Sequence, residues 1–217
     1  RHRLRFGRPD AFVLRREKAD CLKDLPEKSE EPLYSPLSEK QRLAHIELVS
    51  SINSSSDTPH HFELLHYLRN LYLHPFLTEG RTAVGDPEEW IAASPKLASV
   101  IDTVKSIRMK NEKVLIFALS QRIQDVLQEI LGSITAANHV IHYERWWNPA
   151  KEAQATDRVY RIGQDKAVKV YYPISQDPLR QFTSFDEKLA KLLDEKKKLA
   201  RDFLTPSHGI ELTDEEV

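Results

Sequence analysis

Two arginines three positions apart, with a carboxamide one turn before them, are the side chains of this 217-residue sequence best suited to handling phosphate. They lie within Trp146 to Gln164, WWNPAKEAQATDRVYRIGQ. Asn148 is a good cap for the free N–H groups of a first helical turn, and Pro149 presets φ there. From that start the pattern predicts a helix closing near Gly163. On it, Gln154, Arg158 and Arg161 fall at i, i+4 and i+7, on one face. Guanidiniums are planar donors matched to phosphate oxygens. Opposite a bound nucleotide, they neutralise charge developing on a transferring γ-phosphoryl group. The same spacing also lets Asp157 pair with Arg161 at i+4, which would leave the arginines as surface decoration. Spacing alone does not separate the two.

Other chemistry is poorly represented. His60, His61, His66 and His74 are loosely grouped, but no acidic partner is spaced to complete a metal site, so no metal ligand is expected. No Ser/His/Asp or Cys/His constellation is recognisable. Cys21 is the only cysteine, which excludes an intrachain disulfide and predicts a reducing, intracellular setting. The phosphate-cradling GxxxxGK[ST] loop is absent from the sequence, and so is an acidic DExH-type metal-binding motif.

The elements that must position these side chains begin at Ser94-Pro95, an N-cap followed by a good first helical residue. Leu97, Ile101, Val104 and Ile107 make one apolar stripe on that helix. Strands are predicted over 113–119, 138–143 and 167–172, with a helix marked by Ile123, Val126, Leu127 and Ile130 after the first. The resulting α-β-α-β-α-β order predicts an α/β parallel sheet. With nucleotide sites lying at the carboxyl end of such sheets, Arg158 and Arg161 are expected there, exposed, with Gln154 beside them. Trp146 is expected in the core.

Upstream, residues 1–37 carry Pro9, Pro26, Pro32 and Pro36 and read as an extended connector. Residues 38–93 read as a helical lead-in, with a capping box at Ser38 to Gln41, a second helix from about His60 to Leu73, and irregular chain over 78–93. The lobe occupies 94–174. Residues 175–217 hold a helix from Phe185 to Leu204 and an acidic tail; its apolar stripe is expected to pack on the connector or on the helices of 38–73.

Hydrophobic residues are 40% and charged residues 30% of the chain, ordinary for a globular protein, and the net charge of -1 gives no overall basic signal. Nine of the first 28 residues are Lys or Arg. The longest apolar runs, such as VLIFAL at 114–119, are too short to span a bilayer, so no membrane partner is expected. The sequence lacks an initiator Met and is read as a fragment.

Trp146 to Gln164 closely resembles motif VI, with its preceding segment, of the Snf2 family of helicase-like ATPases. Other matches follow in family order. Phe12 to Arg16 with Leu25 to Lys28 resembles the exit from a first motor lobe, and Leu68-Arg69 with His74-Pro75 a helix before the second. Ser94 to Leu97 and Lys113 to Phe117 resemble the opening helix and motif IV strand of the second lobe. Phe185 to Leu204 resembles the helix that braces that lobe. The resemblance implies a C-terminal RecA-like lobe, of a bacterial-type member, that works with an N-terminal lobe of the same protein on ATP, Mg²⁺ and double-stranded DNA. ATP and Mg²⁺ would be held mainly by the absent first lobe, with none tightly bound by this chain. Arg158 and Arg161 match arginine-finger positions, and Gln154 and Gln164 match nucleotide-binding or coupling positions. Trp147, Asn148 and Ser120 match segments near DNA; a simple N-cap is the competing account of Ser120, and a solvated helix N-terminus that of Lys96. The setting would be cytoplasmic or nucleoid in a bacterium and nuclear in a eukaryote.

One departure is internal. Between Gly132 and Ala137 family members carry several dozen further residues, including two strands and most of motif V. If that gap is real, the sheet lacks strands, and an inactive DNA-binding or interaction module derived from such a motor becomes the alternative.

Overall fold

The computed structural model describes residues 26–54, 61–81, 85–132, 137–161 and 164–204. The basic segment 1–25 with Cys21, the gap residues 133–136 and the acidic tail lie outside them, as does His60. The elements in chain order are β1 Lys28–Pro36, α1 Glu39–Ser54, α2 His61–Leu73, α3 Pro75–Thr78, α4 Pro87–Ala93 and α5 Pro95–Met109. There follow β2 Val114–Phe117, α6 Gln121–Leu131, β3 His139–His142, α7 Pro149–Thr156, β4 Val168–Gln176 and α8 Phe185–Leu204.

The three expected strands form one parallel sheet, in the order β1-β4-β3-β2. The fold is therefore the α/β parallel-sheet lobe anticipated, but with a strand that the sequence hid. β1 lies in the proline-bearing connector and pairs with β4 along its whole length, from Lys28 opposite Val168 to Pro36 opposite Gln176. Pro32 and Pro36 are tolerated because β1 is an edge strand, where a missing N–H can face away from the ladder. Pro173 is tolerated in β4 for a related reason: β3 pairing ends at Ile141 opposite Tyr171, so only β1 flanks β4 there.

Both sheet faces are covered, as parallel sheets require. On one, Leu97, Val100, Ile101, Val104 and Ile107 of α5 and Ile123 and Val126 of α6 pack with Ile141 and Tyr171. Each such burial contributes roughly 1.5–3 kcal/mol. On the other, Val140, Val168, Val170 and Tyr172 meet Val159. β2 is the opposite edge, and its Leu115, Ile116 and Phe117 stay half-buried.

Local signals fixed several helix starts. The Ser94 hydroxyl accepts the Leu97 N–H at 3.3 Å. Ser38/Gln41 and Ser184/Glu187 are true capping boxes, each side chain bonded to the other residue's N–H. The stretch expected to be irregular over 78–93 instead contains α4, which Asp86 caps by accepting the Glu88 N–H at 3.0 Å and which inserts fully buried Trp90 beneath His74 and Phe76. The aromatic burial outweighs the helix-breaking tendency of Gly80 and Gly85. α8 packs on β4, α2 and α7, with Leu189 and Leu193 buried and Phe185 against Tyr72. Leu192 and Leu199 of its stripe remain exposed.

Candidate functional site

Because β2, β3 and β4 are parallel, Lys113, Asn138 and Lys166 gather at the amino end of the sheet, while Ser120, Glu144 and Trp147 follow the strands at its carboxyl end. α7 connects the two ends. It starts at Asn148, whose side-chain oxygen accepts the Ala150 N–H at 3.0 Å, and stops at Thr156, seven residues short of Gly163. Arg158 and Arg161 therefore stand on turns beyond the helix, and the expected i, i+4, i+7 face does not form. Buried Thr156 and Val159 anchor these turns, and the two arginines between and after them point outward. They lie at the amino end, not the expected carboxyl end, because the helix has returned antiparallel to β3 before it delivers them. The carboxyl-end expectation is corrected accordingly.

Arg158 and Arg161 line a cavity of about 570 Å³ with Lys113, Lys166, Gln164 and Asn138. Neither guanidinium forms an ion pair among the described residues. Gln164 bridges the rim: its amide donates to the Ala137 carbonyl at 3.1 Å and its oxygen accepts the Lys166 N–H at 3.2 Å. Glu112 is the carboxylate of the cavity wall. It meets His139 Nε2 at 2.8 Å and Lys166 Nζ at 3.4 Å, and the His139 contact holds its carboxyl below the usual range. Gln154 is exposed on α7 and does not line this cavity.

The carboxyl end is built differently. Buried Glu144 accepts the N–H groups of Leu119 and Ser120 through one oxygen, each at 2.8 Å, and pairs with Arg69 of α2 through the other. Arg145 forks onto Glu152 at 2.7 and 2.9 Å, with its guanidinium over the Tyr172 ring at 4.1 Å. Lys96, for which solvation was the competing account, is buried on Asp186 at 2.9 Å; Asp186 also accepts the Ser175 N–H. Ser120 occupies the N-cap position of α6, but its hydroxyl makes no capping bond. Trp147 is 42% exposed, with one edge against Phe185. Trp146 is half-buried, not in the core expected for it; its Nε1 is enclosed with no hydrogen-bond partner among the described residues, and Lys151 Nζ lies over its ring at 5.9 Å. Sequence reasoning missed Glu144 and Arg145: Glu144-Arg145 gives no periodic signal, and their partners are 75 and seven residues away.

Among the described residues no group of three or more His, Cys, Asp or Glu is placed to hold a metal, and no helix is long and apolar enough to cross a membrane.

No family model matches the chain. It is 31% identical over 263 residues to YwqA of Bacillus subtilis (strain 168), which bears the name of an ATP-dependent helicase/translocase; the match takes in 95% of this chain and 27% of that protein. It is 57% identical over 72 residues to the Zorya protein ZorD of Escherichia coli O139:H28, covering 33% of this chain and 6% of that one. The chain thus spans less than a third of either relative. In the first match, 263 aligned positions hold 95% of 217 residues, about 206, so about 57 positions carry no residue of this chain. Among solved structures, the SWI2/SNF2 ATPase core domain of Sulfolobus solfataricus matches with TM-score 0.52 and 26% identity, over 90% of this chain and 49% of that one. The C-terminal part of the Fun30 ATPase domain matches with TM-score 0.59 and 18% identity, over 78% and 90% respectively, a likeness of fold.

Proposed function

The chain belongs to the Snf2 family of ATP-dependent helicases, and from that premise we propose that it is the C-terminal motor lobe of an ATP-driven translocase on double-stranded DNA. The observation that carries this reading is the match along 95% of the chain to a helicase/translocase, together with a sheet of the kind found in SWI2/SNF2 ATPase domains. In this reading residues 1–37 lead in from a preceding N-terminal lobe and lend β1 to the sheet, 38–93 form the helical lead-in, 94–174 the lobe and 175–217 the brace. The setting is intracellular, where the DNA is.

The cationic cavity fits a phosphate chain, whereas among the described residues no acidic cluster is placed to hold Mg²⁺; the first lobe would supply the phosphate cradle and the metal's ligands. ATP and Mg²⁺, when bound, supply the transferable phosphoryl group and its counter-charge. Arg158 and Arg161 then face that group across the cleft and stabilise charge that grows toward the transition state. Gln164 holds the rim that carries them, and exposed Gln154 faces the other lobe as a coupling residue. At the far end of the sheet, the uncapped Ser120 hydroxyl, the exposed face of Trp147 and the amide nitrogen of Asn148 are the DNA-contact residues.

In the intact two-lobe protein, Arg161→Ala should lower kcat by about 10³-fold or more while ATP affinity changes little, since the contact strengthens in the transition state. Equal loss of both would remove the finger role. This chain alone should not hydrolyse ATP, even with saturating duplex DNA; robust turnover by it would mean a complete active site within these residues. The second reading, an inactive DNA-binding or interaction module, is favoured by the roughly 57 aligned positions missing here. DNA-stimulated turnover by the intact parent would exclude it.

A further inference from the structure

We propose that the amino-end cavity is a binding site for phosphate chains in its own right, with Lys113 and Lys166 as ligands beside Arg158 and Arg161. This deepens the motor reading and rests on its assignment of the arginines to phosphate. The topology sets the site. Lys113 immediately precedes β2, Lys166 stands two positions before β4, and the turns after α7 bring the two arginines to the same end. None of the four is adjacent in sequence to another, so the cluster exists only in the folded lobe.

Charge makes the cavity anion-selective. Four cations line it, and the carboxylate on its wall, Glu112, is already engaged by His139 at 2.8 Å and by Lys166 at 3.4 Å. The excess is therefore three positive charges around one concave opening, a field that raises the local concentration of anions. The contrast with the carboxyl end is informative: Arg69, Arg145 and Lys96 each have a buried carboxylate partner, whereas Lys113, Arg158 and Arg161 have none among the described residues. Forked guanidinium donors and flexible ammonium groups suit a chain of tetrahedral phosphates better than a single carboxylate. Gln164 keeps the mouth in shape, because its carboxamide ties the Ala137 carbonyl on one side to the Lys166 N–H on the other. The chain of phosphates could belong to a nucleoside triphosphate or to a nucleic-acid backbone.

The test is calorimetric titration of the purified 217-residue chain with sodium tripolyphosphate, ATP and a duplex oligonucleotide, without added metal. Tripolyphosphate and ATP should bind with affinities within about threefold of each other and weaken as salt is raised, since the contacts are to phosphate. Lys113→Gln and Lys166→Gln should each weaken binding at least fivefold, with Lys105→Gln, on the exposed face of α5, unchanged; circular dichroism checks that every variant is folded. Tripolyphosphate displaced by duplex DNA assigns the site to backbone phosphates, and tripolyphosphate displaced by ATP alone assigns it to nucleotide. No binding of tripolyphosphate, or binding indifferent to both lysine variants, overturns the proposal. Equal capture of a polyglutamate peptide also overturns it. The motor reading fails separately, through absence of DNA-stimulated ATP turnover in the intact parent, whatever these titrations give.

Discussion

At the carboxyl end of the sheet the arginines and the lysine face inward onto carboxylates, and at the amino end they face outward onto solvent. Glu144 joins Arg69 of α2 to the backbone that follows β2, Glu152 holds Arg145 against Tyr172, and Asp186 holds Lys96 to the end of β4. Arg158, Arg161 and Lys113 have no such partners among the described residues. The difference teaches which charges serve the fold and which are free for a ligand. A buried charge must be paired to be tolerated, while an exposed one contributes little to stability whether paired or not.

The sharpest way to break this comparison is to cut a pair at the closed end. Glu144→Ala removes the acceptor of two backbone N–H groups and the partner of Arg69, and should cost about 3–5 kcal/mol in urea unfolding. A loss under 1 kcal/mol would mean that the closed end is not held by its charges. Lys96→Met keeps the volume but leaves Asp186 with only the Ser175 N–H, and should cost about 2–3 kcal/mol in the same measurement.

Acidity should act on the buried interior. Burial pushes the His142 and His74 imidazoles down to about 4. For His142 the nearby Glu152 partly opposes this and Arg145 adds to it; for His74 the Trp90 carbonyl opposes it and Arg81 adds to it. Each ring is neutral when folded and charged when unfolded between its folded value and about 6.5, so the unfolded state binds more protons in that window. Stability is therefore complete above about pH 6.5 and falls as pH drops toward 4, by at most about 3 kcal/mol per histidine. His142→Phe, which preserves the stacking on Phe117 and Tyr172, should flatten the slope of stability against pH over that window. An unchanged slope would show that His142 does not carry it.

The smallest effect is expected at the open end. Arg158→Ala and Arg161→Ala should each change stability by less than about 0.5 kcal/mol, because neither guanidinium is buried or paired among the described residues. A loss of 2 kcal/mol or more from either would make the arginines structural and erase the contrast between the two ends.

Much of this was legible in one dimension. The three expected strands, the Ser94 cap and the Ser38–Gln41 capping box followed from periodicity and from cap chemistry. These are signals between neighbours in sequence, set by the 3.6- and 2-residue repeats of the backbone and by hydrogen bonds within one turn. β1 was hidden because its prolines read as coil, and only the position of that strand at the sheet edge makes them acceptable. α4 was hidden because its stability comes from Trp90 packing under His74 and Phe76, not from its own seven residues.

What the sequence by itself determined was that Arg158 and Arg161 stand three positions apart, behind a helix start at Asn148; which end of the sheet they occupy was decided only by the tertiary structure. α7 ends at Thr156 and not near Gly163, so two arginines written as one helical face became turn residues at the amino end. Their lysine companions come from positions 45 to 48 residues earlier, at Lys113, and five to eight residues later, at Lys166. The Glu144–Arg69 pair closes over 75 residues. Contacts of that range have no local period to betray them: they form only when parallel strands bring their starts, or their ends, to a common edge.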